Sequence, residues 1–239
     1  MPKSKRKVEV LVLSDIHLGT FGCHASALLD YLKSVEPKMV VLNGDIVDAW
    51  QFSKWYWPKS HWEVVKHLVK WLSKDIPVVY FTGNHDDVLR RLPDLHLGSF
   101  TLAETLVLDL DGEKTWFFHG DVFDSSIQHA RWLAKLGGKS YDALILLNRA
   151  INWASQKLGK GPVSLSAKIK HSVKQAVAFM SDFEGFAADY ALQQGYNTVV
   201  CGHIHQAADK KLHRKNGSVR YLNSGDWVES LTALEYAHG

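Results

Sequence analysis

Cysteine is nearly absent. The chain carries two in 239 residues, Cys23 and Cys201, far apart and outside any CxxC pair. That excludes a disulfide framework and a thiolate-held structural zinc, and it fits a reducing compartment. Both cysteines read as small packing residues. A charge excess is missing as well: 28 Lys and Arg stand against 25 Asp and Glu, a net of +3. No basic stripe with interleaved aromatics is present, so no nucleic-acid partner is expected. No apolar run approaches the ~18 residues that a membrane-spanning helix needs. No leader with an apolar centre and a small-residue cleavage site is read at the start, so a cytoplasmic protein is expected. The basic start (Lys3, Lys5, Arg6, Lys7) reads as a solvated, frayed tail, with contact to anionic lipid headgroups as the sharper alternative.

Histidine and tryptophan, by contrast, are plentiful, at 13 and 9 residues. Histidine is the commonest side-chain ligand of transition metals. An excess of tryptophan points to aromatic walls, in a core or around a ligand. The length suits one domain, residues 1–239, with a helical insertion. Short apolar, β-branched runs recur at Val8–Leu13, Met39–Leu42, Ile76–Phe81, Trp116–Phe118 and Thr198–Cys201, and they read as buried strands. Helical patterns at Ala25–Val35 and Trp62–Leu72 lie between the early ones, which predicts an α/β fold. Toward the end, Ala207–His213, Arg220–Asn223 and Ser230–Tyr236 read as further strands, with a hairpin turn at Asn216-Gly217, so the sheets should be mixed. Residues 125–195 break the alternation and look helical. Within them, the 141–158 stretch is apolar on more than one side, and the default for such a helix is burial in a core.

Each of the five strand-like runs ends in metal-binding residue types. In order, these are Asp15-Ile16-His17, Gly44-Asp45-Ile46-Val47-Asp48, Gly83-Asn84-His85-Asp86, His119-Gly120-Asp121 and Gly202-His203-Ile204-His205. In α/β sheets, ligands gather at the carboxyl ends of strands. Asp15 with His17, and His203 with His205, stand two apart, and in extended backbone such a pair faces one side. The glycines at 44, 83, 120 and 202 let the chain turn sharply beside the site. Oxygen and nitrogen donors without thiolate suit Mn²⁺, Fe²⁺ or Zn²⁺. There are more ligands than one ion needs. Two divalent ions bridged by a carboxylate and a hydroxide are the usual solution for phosphoester hydrolysis. Four positive charges against two carboxylates and a hydroxide leave a surplus that attracts phosphate. Asp48 and Asp86 read either as residues that orient the ligands or as loop caps.

In combination, Asp15-x-His17, Gly44-Asp45-x-x-Asp48, Gly83-Asn84-His85-Asp86, His119 and Gly202-His203-x-His205 resemble the signature of the calcineurin-like metallophosphoesterases. The resemblance spans nearly the whole chain. It implies a two-sheet sandwich flanked by helices, with a dimetal site at one edge. Carried over, Asp15, His17, Asp45 and His205 would hold one ion, and Asp45, Asn84, His119 and His203 the other, with Asp45 shared. His85 would touch the substrate phosphate. A narrower similarity links Ser14–Gly19, Gly44–Trp50, His119–Asp121 and Gly225–Trp227 to the branch that hydrolyses UDP-2,3-diacylglucosamine in lipid A biosynthesis. That branch uses Mn²⁺ and carries a helical insertion as a lid, as 125–195 would be here. Its well-known members have Arg where this chain has His85.

The branch implies a lipid-linked nucleotide as substrate, and contact with the cytoplasmic face of the inner membrane. It also carries a phosphate-binding lysine in the region of Lys170 and Lys174, whose default is a solvated helix face. Trp50 begins an aromatic stretch running to Trp62 that would either wall a substrate cleft or pack as core. Two rivals stand beside this reading: a phosphodiesterase or phosphatase acting on soluble nucleotides, and a binding scaffold that has lost catalysis.

Overall fold

The computed structural model describes residues 5–50, 56–92, 95–123 and 183–237. The chain divides into two compact units, Met1–Asp121 with Gly185–Gly239, and Val122–Glu184. The 125–195 insertion and the 141–158 helix fall largely outside the described residues, as do Lys170 and Lys174.

The larger unit contains two mixed sheets with flanking helices. Its elements are β1 (Arg6–Leu13), α1 (Ala25–Ser34), β2 (Val35–Asn43), α2 (Lys59–Leu72) and β3 (Val78–Phe81). A 3-10 helix, Asp87–Arg91, follows, then β4 (His96–Leu97), β5 (Phe100–Ala103), β6 (Thr105–Leu110) and β7 (Glu113–Phe118). A helix across 183–193, α3, precedes β8 (Thr198–Cys201), β9 (Ala208–Arg214), β10 (Gly217–Asn223) and β11 (Leu234–Tyr236). One sheet runs β11-β1-β2-β3-β5-β4 and the other β6-β7-β8-β10-β9. Strands β1, β2 and β3 pair in parallel, as do β7, β8 and β10.

Side-chain alternation along the strands sorts the core. Val10, Val12, Val41, Val79 and Phe81 face Phe117 and Val200 of the second sheet. Their neighbours Leu11, Leu13, Val40, Leu42, Val78 and Tyr80 turn the other way, toward α1 and α2. The helices meet them with Ala25, Leu28 and Leu32, and with His61, Val64, Leu68 and Trp71, stripes at helical spacing. On the second sheet's outer side, Trp116 and Phe118 stack with ring centroids 3.9 Å apart, and Tyr190 of α3 lies 4.9 Å from Trp116.

Several sequence expectations shift. Strands β4, β5 and β6 had no counterpart in the periodicity reading. The hairpin turn is Lys215-Asn216 rather than Asn216-Gly217, because Gly217 already pairs with Arg214. The final strand shrinks to Leu234–Tyr236, since Ser230 and Thr232 spend their hydroxyls on the preceding loop. The basic start is no frayed tail at Arg6 and Lys7: both belong to β1, and Arg6 donates to Glu235 Oε1 at 2.6 Å. Among the described residues, no helix is long and apolar enough to cross a membrane.

Candidate metal centre

Six parallel strands deliver their carboxyl ends to one place. Strand β1 ends at Leu13 and hands over to Asp15 and His17; β2 ends at Asn43, before Asp45 and Asp48; β3 ends at Phe81, before Asn84 and His85. From the second sheet, β7 leads to His119, β8 to His203 and His205, and β10 to Ser224. The expected side chains converge there in buried surroundings. Asp15, Asp45, Asp48, His119 and Asn84 are buried, and His85, His203 and His205 are partly so.

Three groups of potential donors form among the described residues, and two of them are made up of the expected ligands. In the first, Asp15 Oδ1 lies 3.3 Å from His205 Nε2, and His205 Nε2 lies 3.2 Å from His17 Nε2. In the second, Asp45, His119 and His203 bring their ligand atoms within 4.8 Å of one another. Asp45 reaches both: its Oδ2 lies 3.4 Å from His119 Nε2 and 4.0 Å from His17 Nε2. Its other oxygen accepts the His85 backbone N–H at 2.8 Å. His119 Nδ1 donates to the Asn43 carbonyl at 2.8 Å, which leaves Nε2 as the nitrogen facing the site. Asp15 Oδ2 accepts the His203 N–H at 3.0 Å.

These donors fit a pair of hard or borderline cations. Asp15 Oδ1, Asn84 Oδ1 and His119 Nε2 are buried without a hydrogen-bond partner, a costly condition unless something else satisfies them. Two imidazole nitrogens and a carboxylate oxygen crowding to 3.2–3.3 Å is the arrangement that ligands of a common cation adopt. The electrostatics agree. Burial works against a charge on His119, but the Asp45 carboxylate beside it lifts its pKa to about 10. For Asp45, burial pulls upward and is overcome by His119 and His17, so its pKa falls. Carboxylates that hold imidazoles protonated would hold a metal cation in place of those protons.

The local backbone is unusual. Asp15, His17, Asp45, His203 and His205 all have left-handed φ, between 50° and 69°. The two-apart pairs therefore do not face the site from extended chain. They do so from a strained conformation that costs ~1 kcal/mol or more per residue and is tolerated where the surrounding fold dictates it. The bonds that dictate it run between loops: Asp15 N donates to Gly44 O, His17 N to Asp45 O and Leu18 N to Ile46 O, at 2.9–3.0 Å. Gly83 and Gly202 serve close approach rather than a turn. A Cβ on Gly83 would lie 2.1 Å from Asp45 Oδ1, and one on Gly202 would lie 2.6 Å from Asp15 Oδ2.

The family profile of the calcineurin-like phosphoesterases matches residues 8–207. The chain belongs to that family. Calcineurin-like phosphoesterases are metal-dependent hydrolases, so the family implies a dimetal site where these donors gather. Among its relatives is the UDP-2,3-diacylglucosamine hydrolase of Neisseria meningitidis (serogroup C, strain FAM18), 25% identical over 226 residues, covering 93% of this chain and 91% of that one. Another is the UDP-2,3-diacylglucosamine hydrolase of Aliivibrio fischeri, 24% identical over 234 residues, covering 95% and 94%. The solved phosphoesterase Yfce from E. coli is 15% identical, covers 94% of this chain and 80% of its own, and superposes with a TM-score of 0.43.

Around the ligands, the phosphoesterase places Asp48 and Asp86 in different roles. Asp48 Oδ2 lies 2.9 Å from His85 Nδ1 and 3.4 Å from His17 Nδ1, so it orients both rings. Asp86 instead ties loops, accepting from Ile46 N, Gly83 N and the Tyr80 hydroxyl at 2.5–2.9 Å. Trp50 lies over His85, ring centroids 4.4 Å apart. Trp62 is 54% exposed, so it is not a core residue, and its ring meets that of Trp57 edge-on at 5.7 Å. Sequence reasoning missed the polar stitch between the sheets. Ser14 and Ser224 share a hydrogen bond of 2.6 Å, and Ser14 Oγ also donates to Gly225 O at 2.9 Å; within the second sheet, Asn223 Nδ2 donates to Gly202 O at 2.7 Å. The signal was available: Asn223-Ser224-Gly225-Asp226 is a sixth strand end of the same composition. Cys201 is buried, and burial pushes the partly covered Cys23 thiol up to about 12, so neither is a reactive thiol.

Proposed function

We propose that the chain hydrolyses UDP-2,3-diacylglucosamine to UMP and 2,3-diacylglucosamine 1-phosphate, with Asp15, His17, Asp45 and His205 holding one divalent ion and Asp45, Asn84, His119 and His203 the other. The observation that carries the catalytic part is Asp45, one carboxylate within reach of an imidazole from each group. The substrate part leans on relatives named for that hydrolysis and matched over most of both chains. Mn²⁺ is the ion that suits the donor set and the resembled branch. When bound, the pair of ions supplies Lewis acidity at the phosphoryl oxygens and an activated water near neutral pH.

The protein's own residues do the rest. His85 stands at the open side of the centre, held through Nδ1 by Asp48. Burial disfavours its charge, but the Asp48 hydrogen bond prevails and raises its pKa. A protonated His85 donates from Nε2 to the substrate phosphate and stabilises the departing oxygen. His85→Ala should lower kcat about 10²–10⁴-fold with the metal content unchanged. Trp50, packed against His85, would border the substrate, and Lys170 or Lys174 would reach the diphosphate. If Lys170→Ala and Lys174→Ala both leave KM and kcat alone, the lysine assignment is wrong. Membrane contact would bring such a lipid-linked substrate within reach.

A second reading has one specific observation in its favour: His85 occupies the position where the resembled branch has Arg. A phosphodiesterase or phosphatase for soluble nucleotides would carry histidine there. Purified protein with Mn²⁺ should release UMP from the acylated nucleotide far faster than it cleaves a soluble nucleotide diester. The reverse order of rates would favour the second reading.

A further inference from the structure

Arg90 joins the two sheets on one side of the centre. It sits on the 3-10 helix that follows Asn84-His85-Asp86, and its side chain turns back on its own loop. Nε donates to Thr82 Oγ1 at 3.1 Å and Nη2 to Thr82 O at 3.1 Å. The same Nη2 donates to Asp121 Oδ2 at 2.5 Å. Thr82 is the first residue beyond β3, two before Asn84; Asp121 stands two beyond His119, after β7. One guanidinium thus ties a loop of the first sheet to a loop of the second, and each of those loops bears a candidate ligand.

Resting on the two-ion reading above, we propose that Arg90 is the positioning residue for the ion held by Asn84 and His119, clamping the β3 and β7 loops at a fixed spacing. The Asp121 side chain is only 5% exposed, so its carboxylate depends on this cation for compensation. Between the clamped residues the packing has no slack. The position of a Cβ on Gly83 lies 2.7 Å from His119 Nε2, so a shift of Thr82–Gly83 is transmitted to that nitrogen directly. Asp15, His17 and His205 hang on the β1 and β8 loops, which Arg90 does not hold. The clamp therefore bears first on the ion held by Asn84 and His119, and reaches the other only through the shared Asp45. Lysine cannot replace it, because three bonds to three acceptors on two loops need the planar fork rather than a point charge.

Arg90 also borders a cavity of about 430 Å³ lined in part by Thr82, Leu89 and Glu104, which gives a small cation access to the place its side chain fills. The test is a Mn²⁺ titration of the full metal-stripped chain, read by calorimetry and by bound metal. Wild type should take two equivalents. Arg90→Ala should keep the first and weaken the second about tenfold or more. Millimolar guanidinium should restore it, whereas Arg90→Lys should remain weak. A folded Arg90→Ala chain that binds both equivalents as wild type does would overturn the proposal. If that variant does not fold by circular dichroism, Arg90→Lys and Asp121→Asn decide: selective loss of one equivalent supports the clamp, and equal loss of both, or none, overturns it. A wild-type chain binding fewer than two ions would overturn the two-ion reading, and the clamp with it.

Discussion

At single positions the centre is held open by what side chains are not there. Alanine at Gly83 would place a methyl 2.1 Å from Asp45 Oδ1 and 2.7 Å from the Asp45 amide nitrogen. Gly83→Ala is therefore expected to displace Asp45, destabilise the fold by ~1–3 kcal/mol and remove most hydrolytic activity; thermal unfolding and a rate assay on one preparation check both. The histidines make a second prediction. His119, raised from 6.5 to about 10 by Asp45 against the effect of burial, is protonated near neutrality in the ion-free chain. That protonation contributes stability present in full below about pH 6.5 and lost as pH rises through about 10. Metal uptake runs the other way: the cation displaces the proton, so affinity rises with pH. Calorimetry in buffers of different ionisation enthalpy should detect proton release, and none would contradict this reading. The ligand types were legible in the sequence because Asp, Asn and His at successive strand ends are a chemical pattern. Their left-handed backbone was not, because bonds such as His17 N to Asp45 O come from another strand.

The elements divide between support and placement. Helices α1 and α2 bury a stripe each, with Leu28 and Leu68 in the core cluster. Leu28→Ala should cost ~2–5 kcal/mol, seen as a lower Tm, with unchanged metal stoichiometry; a lost ion would mean that α1 sets the site as well. The five strands with buried apolar runs were readable because burial on both faces leaves continuous Val, Ile, Leu and Phe. Strand β6 escaped notice for the opposite reason. Its residues Thr105–Leu110 alternate exposed and half-buried at a sheet edge, a weaker pattern than a core strand gives. Strand β4 is two exposed residues and left no pattern to read.

For the whole molecule, ions that bridge loops of both sheets should act as a fastener. Metal binds the folded chain and not the unfolded one, so free Mn²⁺ at a hundredfold excess over Kd should add about 2.7 kcal/mol per ion. Chelation should lower Tm accordingly, and an unchanged Tm would show that the polar stitch of Ser14 and Ser224 suffices alone. The measurement that bears most directly on the centre is an anomalous-scattering map from crystals grown with Mn²⁺. Two peaks about 3.5–4 Å apart, one flanked by Asp15, His17 and His205, the other by Asn84, His119 and His203, with Asp45 between them, are the predicted result. A lone peak, or peaks away from Asp45, would contradict the account.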